Sequence, residues 1–469
     1  MLRTPIIVLA FVACAVSAFG TQWQVGPGQL YTMPSQVAVL VADGDTVNIA
    51  AGPYPSDVTN WTADDLLLRG IGGMAHLESN GNAWGGKGIW VIQGDPTTVE
   101  NIEFSECSVP DENGAGIRQE GHHLTVRHCY FHDNENGILA GDVSPSTIRI
   151  EHTEFDHNGF GDGYSHNLYI NHVDSLIFRF NYSHHAHVGH ELKSRAHVNM
   201  IAYNRFSNEA TGDASRDIDL PNGGQAYLIG NTIQQGMQAQ NSNMVGYGLE
   251  GLNNPGPQEL YAINNTLVNE RSIGSFFSML GDIYFKGYFN ILAGAGSFMS
   301  AGFPTAMDTA GNLRAPVIAS VSFLDPADYD YELLPSSPAQ QIGIPAGLAT
   351  SGYPLVAVYE YVHPVGDRVR CQQATLDAGA YQLCTTDVRE QATNTPLVWP
   401  NPAADVVHIS THGEAAIAVV DALGRTVRMA HAKGVSTTEL SLDGLSSGAF
   451  MILVYDTNGV QTFRLVHQQ

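Results

Sequence analysis

Along the middle of the chain, short stretches of alternating apolar and polar residues recur at nearly constant spacing. Most end in a small or polar residue, then any residue, then an apolar one. Copies occur at Ile102-Glu103-Phe104, Cys129-Tyr130-Phe131, Thr153-Glu154-Phe155, Asn204-Arg205-Phe206, Asn231-Thr232-Ile233 and Asn265-Thr266-Leu267, with a weaker one at Asn181-Tyr182-Ser183. Their third positions follow at steps of 27, 24, 28, 23, 27 and 34 residues. Such a period is that of a solenoid coil, whose apolar face is buried only when neighbouring coils stack on it. β-rich runs such as Leu124-Thr125-Val126, Ile148-Arg149-Ile150 and Leu228-Ile229 precede several copies, and asparagines recur at the turns. The pattern predicts an all-β chain whose main part, residues 19–384, is a right-handed parallel β-helix.

The pattern changes near the C-terminus. A polar stretch over 385–396 reads as a linker. Beyond it, residues 397–469 hold short apolar-rich strands (Val406 to Ile409, Ala416 to Val420, Phe450 to Val454) with turn chemistry from Asp421 to Gly424, as in a small β-sandwich. At the other end, Arg3, the apolar run Pro5 to Val16 and the small residues Ser17 and Ala18 have the form of a secretory signal peptide, residues 1–18, cleaved after Ala18. No later segment is apolar enough for a membrane helix. Four cysteines remain after cleavage, and in an exported protein proximity predicts disulfides Cys107–Cys129 and Cys371–Cys384.

Composition narrows the function. The 469 residues carry 21 Lys plus Arg against 46 Asp plus Glu, a net charge of −25, so a nucleic-acid partner is excluded. With 43% hydrophobic and 14% charged residues, the chain is neither a disordered acidic tail nor a basic membrane-surface protein. A monomer is expected. Against that acidic background, five cations (Arg179, Lys193, Arg195, Arg205 and Arg216) fall between 179 and 216, and thirteen of 19 histidines lie between His122 and His197. A locally cationic patch suits an anionic ligand.

Stacked coils bring His166-Asn167-Leu168-Tyr169-Ile170, His190-Glu191-Leu192-Lys193-Ser194 and Arg216-Asp217-Ile218-Asp219-Leu220 into register. If Leu168, Leu192 and Ile218 point inward, alternation sends two polar columns outward: Asn167, Glu191, Asp217 and Tyr169, Lys193, Asp219. This set suits β-elimination from a uronic-acid polymer, where removal of the C5 proton needs a base and neutralisation of the adjacent carboxylate. Lys193 is the expected base and Arg195 and Arg216 the neutralising cations, while Tyr169 or His190 protonates the leaving oxygen. Asn167 and Asp219 are expected to bind substrate, and Glu191 with Asp217 to hold Ca²⁺ if an ion is used. No organic cofactor is expected. Two other classes compete: a glycoside hydrolase or epimerase on the same scaffold, using Asp217 with Asp219 or Asp213, and a surface glycan binder without catalysis.

The flanks carry a resemblance. Gly26-Pro27-Gly28, the helix-like Pro34 to Ala42, Asp43-Gly44-Asp45-Thr46-Val47 and Gly52-Pro53-Tyr54 resemble the opening and capping helix of pectate-lyase-like β-helix proteins. Asp328 to Tyr331, Ser337-Pro338-Ala339 and Asp377 to Tyr381 resemble their exit segment. Lys193-Ser194, Asn204-Arg205-Phe206 and Ile218 to Gly223 are similar to the lysine coil, and the coil after it, in the lyases that include alginate lyases and chondroitinase B, which places Lys193 on their catalytic lysine. The arginine of that family falls on Pro221 here, and its calcium-binding glutamates on Val188 and Ala186. Pro400-Asn401-Pro402, Asp421 to Gly424, Leu445 to Gly448 and Phe463 to Val466 resemble the sorting domain of type IX secretion. That likeness implies passage through the secretion machinery to the cell surface or medium.

Overall fold

The computed structural model describes residues 20–371, 373, 375–384, 397–421, 425–456 and 459–468. The expected signal peptide, the linker and residues 422–424 of the Asp421 turn lie outside them. Parallel strands dominate the rest. A ten-stranded parallel sheet runs from Thr59–Trp61 through Gly88–Ile92, Leu168–Ile170, Leu192–Ser194 and Ile218–Leu220 to Ser297–Ala301. A 21-stranded sheet supplies the other two walls, its strands alternating between two columns as in Ser175–Arg179 and Tyr182–His184. Each coil visits all three walls, which makes the chain from about residue 46 to 315 a right-handed parallel β-helix.

The repeat is the register of this stack. Phe104 pairs with Phe131, Phe131 with Phe155, Phe155 with Ser183, Ser183 with Phe206, Phe206 with Ile233 and Ile233 with Leu267. All these side chains point inward, and the rings of Phe104, Phe131 and Phe155 stack at centroid spacings of 4.9 and 5.1 Å. At the corner between the two columns, Asn181, Asn204, Asn231, Asn265, Asn290 and Asn312 form an amide ladder. Each side-chain amide donates to the next Oδ1 at 2.9–3.1 Å, and each backbone N–H donates there as well. The ladder satisfies buried groups that the bend removes from strand pairing.

A five-residue helix, Pro34–Ala38, covers the first coil, shorter than the expected run to Ala42. Beyond it the amides of Leu40 and Val41 both donate to Val37 O, closing a final turn. After the last coil, the chain turns back along the outside. Val358 N–H donates to the Tyr203 hydroxyl and Asn264 Nδ2 to Asp377 O, and the segment's apolar residues cover the outward rings Phe180, Tyr203, Tyr227 and Tyr261. Residues 397–468 form antiparallel sheets of three and four strands around their own core, including Val407, Ile417, Ile452 and Leu465.

One expected disulfide forms, Cys371–Cys384. The other is corrected: Cys107 and Cys129 are buried free thiols, both pushed up to about 12 by burial. A coil step carries Cys107 onto Asn134, whose Oδ1 accepts its N–H, while Cys129 sits at the opposite end of its strand, bonded to Thr153 Oγ1. Closeness in sequence did not place the two thiols on one corner.

Candidate functional site

On the outer face of the ten-stranded sheet, Tyr169 pairs with Lys193 and Lys193 with Asp219, in the expected register. Their strand neighbours Leu168, Leu192 and Ile218 are buried, so alternation within each three-residue strand holds. Lys193 Nζ lies 3.0 Å from Glu250 Oε1 and 3.9 Å from Asp219 Oδ2, and 5.9 Å from the centre of the Tyr169 ring. Arg195 is tied down by three groups. It donates to the Tyr169 hydroxyl at 2.9 Å, to Asn222 Oδ1, and to Glu250 Oε2 at 2.6 Å. Burial works against the Arg195 charge, but Glu250 and Tyr169 outweigh it and hold the guanidinium above its ordinary range. Burial likewise opposes the Glu250 charge, and Arg195 with Lys193 keeps that carboxyl below the usual carboxylate range.

Arg216 completes the patch, its Nη1 3.2 Å from Asp219 Oδ1. Burial raises Asp219, opposed by Arg216 and Lys193. With only 2% of its side chain exposed, Asp219 orients these two cations instead of facing a ligand, which corrects its expected role in binding substrate. The next position out from Asp219 is Gly246, where a Cβ would come within 2.6 Å of Asp219 Oδ1 and 3.0 Å of Arg216 Cδ. Only a glycine lets Arg216 fold over Asp219 there.

Beside this column runs a second one, three residues earlier in each coil. His190 N–H donates to His166 Nδ1, and Arg216 N–H to His190 Nδ1, both at 3.0 Å, so each ring uses Nδ1 as acceptor and carries its proton on Nε2. The rings stack at 4.9 Å, and burial pushes His166 down to about 3 and His190 well below its ordinary value. His190 is therefore a neutral ring whose Nε2 stands 3.6 Å from Asp219 Oδ2.

The other expected column is corrected. Asn167, Glu191 and Asp217 are all fully buried inside the solenoid. Each precedes its strand, at the corner, where the backbone turns the side chain inward. Asn167 Nδ2 donates to Glu191 Oε2 at 2.6 Å, and Ala186 N–H donates to Glu191 Oε1 at 3.1 Å. Burial raises Glu191 to about 8 against these bonds, and burial with the nearby Glu191 raises Asp217 well above the carboxylate range. Asn208 Nδ2 donates to Asp217 Oδ1 at 2.9 Å, while Asp217 Oδ2 and Asn208 Oδ1 have no partner. Calcium needs several open, charged oxygens. Carboxyl groups fully buried and bonded to asparagines do not offer such open oxygens, and Asn167 cannot touch a substrate. The alternative acid Asp213 is engaged by His187 at 3.2 Å and Asp217 is internal, so Asp217 does not share an outward point with Asp219 or Asp213.

Glu250 was not foreseen. It lies 57 residues beyond Lys193, in the connection between Asn243–Tyr247 and Glu259–Ile263. Asn254 seats that connection by donating to Arg195 O, Ala196 O and Gly223 O. No local motif announces such a contact; only the coil stacking makes it.

The architecture defines an all-β solenoid protein with a cation-bearing strip on one outer wall and a separate antiparallel sandwich. Residues 35–172 match the family described as right handed beta helix region, and residues 397–468 match the secretion system C-terminal sorting domain. No curated protein matches the chain. The protein is thus a right-handed β-helix protein with a type IX secretion sorting domain, exported to the cell surface or the extracellular space. Among the described residues, no helix is long and apolar enough to cross a membrane.

Proposed function

We propose that the protein is a polysaccharide lyase that cleaves a uronic-acid polymer by β-elimination. The observation that carries this reading is the outward column Tyr169–Lys193–Asp219 with Arg195 and Arg216 folded against it, three cations gathered on a protein of net charge −25. Glu250 already shows how a carboxylate sits there, bridging Lys193 and Arg195. A uronate carboxylate takes that position in the reactive complex and displaces Glu250. Arg195 neutralises the charge that develops as the C5–H bond breaks. Lys193, as the free amine, accepts the C5 proton, the bonding pair forms the C4–C5 double bond, and the C4–O bond breaks. Tyr169, whose oxygen accepts from Arg195, keeps its own proton free to donate to the departing oxygen. His190 is buried and its Nδ1 accepts from Arg216 N–H, which leaves that role to Tyr169.

The test is incubation with alginate, pectate, glucuronan and glycosaminoglycans, read by ultraviolet absorbance of the unsaturated uronate. Absorbance that grows with one polymer and vanishes in Lys193→Ala supports the reading. New reducing ends without absorbance identify a hydrolase, and polymer retention without cleavage a surface glycan binder; either result overturns it.

A further inference from the structure

On a different wall, away from the cationic strip, the outer side of the second strand column carries a run of imidazoles and carboxylates. His132, Asp156 and His184 occupy successive coils at one register position, and Glu103, Tyr130, Glu154 and Tyr182 occupy the position two residues earlier. Side chains two apart along a strand share a face, and adjacent coils are about 4.8 Å apart, so such columns bring ligand atoms within reach of one ion.

The convergence is closest around Asp156. His184 Nδ1 lies 3.1 Å and His185 Nδ1 3.6 Å from Asp156 Oδ1, and the two ring nitrogens face each other at 2.7 Å. The three donor atoms all lie within 4.8 Å of one another. The other nitrogen of His184, Nε2, is 3.0 Å from Glu154 Oε1. A proton held there, between ring and carboxylate, leaves Nδ1 as a lone pair directed at Asp156 and His185. Asp156 Oδ1 is itself buried and ringed by the Nδ1 atoms of His157, His184 and His185, none of them in hydrogen-bond alignment with it. A carboxylate oxygen and several imidazole nitrogens thus converge on one point, the donor set of a transition-metal site. The carboxylate that fixes the far nitrogen is the usual support of a metal-bound imidazole.

We propose that Asp156, His184 and His185 bind a divalent transition-metal ion of the zinc class. Two imidazole nitrogens and one carboxylate favour zinc, cobalt, nickel or copper over calcium or magnesium, which take oxygen ligands. His157 stands at the rim, its Nδ1 2.5 Å from Asp156 Oδ1 and its ring stacked on His185 at 4.7 Å, and is available as a further ligand. The ion joins two adjacent coils. It also fixes the start of the turn that runs from His185 to His190, and so one end of the segment that supplies His190 to the cationic strip.

The test uses the full secreted chain, freed of metal by chelation and titrated with Zn²⁺ and with Co²⁺. One ion per chain is expected, with a visible cobalt spectrum of mixed nitrogen and oxygen ligation and a rise in Tm with zinc. His185→Asn suits the left-handed backbone at that position, φ +52, and Asp156→Asn keeps the side-chain shape; each should weaken binding at least about 100-fold while metal-free Tm stays near that of the parent. The nearby trio His76, Glu103 and His132 is the internal control. Binding that survives both substitutions, that disappears only in His132→Gln, or that is absent from the parent chain overturns the proposal. Since the readout is metal binding, it stands or falls independently of lyase activity.

Discussion

Two columns of polar residues lie two positions apart on the same three coils and have opposite fates. Tyr169, Lys193 and Asp219 stand in the middle of their strands on the outer wall, whereas Asn167, Glu191 and Asp217 stand one residue before theirs and are fully buried. Alternation is a property of extended backbone and fails at the corner, where the chain changes wall. The interior is open to polar groups at that level because the apolar repeat lapses there. Ser183 replaces the phenylalanine of neighbouring coils, and its hydroxyl donates to Glu191 O at 2.8 Å. Polar character thus means opposite things in the two columns: a cation-bearing face outside, buried carboxyls bonded to asparagines inside.

Substitutions sharpen this contrast. The largest effect belongs to the outer column. Lys193→Ala should lower turnover at least about 100-fold, the low end for loss of a general base, while costing about 1 kcal/mol of stability or less. Lys193→Arg should not restore the rate, because a guanidinium stays protonated; an active Lys193→Arg protein would move the base elsewhere. Glu191→Ala should do the reverse. Leaving Ala186 N–H without its acceptor, and taking from Asn167 Nδ2 one of its acceptors, should cost about 2 kcal/mol in urea unfolding and leave kcat of the folded fraction nearly unchanged. Equal losses of turnover in the two variants would erase the distinction between the columns.

Glu191 also makes a pH prediction. Its carboxyl titrates near 4.5 in the unfolded chain and near 8 in the fold, so between these values the native state keeps a proton that the unfolded state sheds. Stability should therefore fall as pH rises through that window, by about 1.4 kcal/mol per unit at most, and level off above it. Urea midpoints of Glu191→Gln should be flatter across the same range; an unchanged slope would show that Glu191 is ionised inside the coil. The smallest effect is expected at Glu250, nearly half exposed and paired with Lys193 and Arg195. Glu250→Gln should lower KM for the uronate polymer a few-fold, with stability changed by about 1 kcal/mol or less. A raised KM would make Glu250 part of the binding surface instead of a group that substrate displaces.

Much of the candidate site was legible. The register of Tyr169, Lys193 and Asp219 follows from counting the repeat, and the inward leucines and isoleucine follow from alternation. What misled was treating Asn167, Glu191 and Asp217 as strand residues, although Ser183, the weak copy of the repeat, signalled a polar level in the core. Proximity in sequence paired Cys107 with Cys129, whereas a coil step from Cys107 reaches Asn134. Glu250 and the convergence of His184 and His185 on Asp156 left no local trace.

The sequence by itself determined the all-β solenoid, its coil period, the register of its inward rings and the sorting domain, because a periodic apolar pattern has one economical way to be buried. The tertiary structure alone decided which polar residues face water, which carboxyls are buried, and which carboxylate meets Lys193. Those outcomes depend on where the backbone turns between walls and on contacts across whole coils, distances that the order of residues does not encode locally.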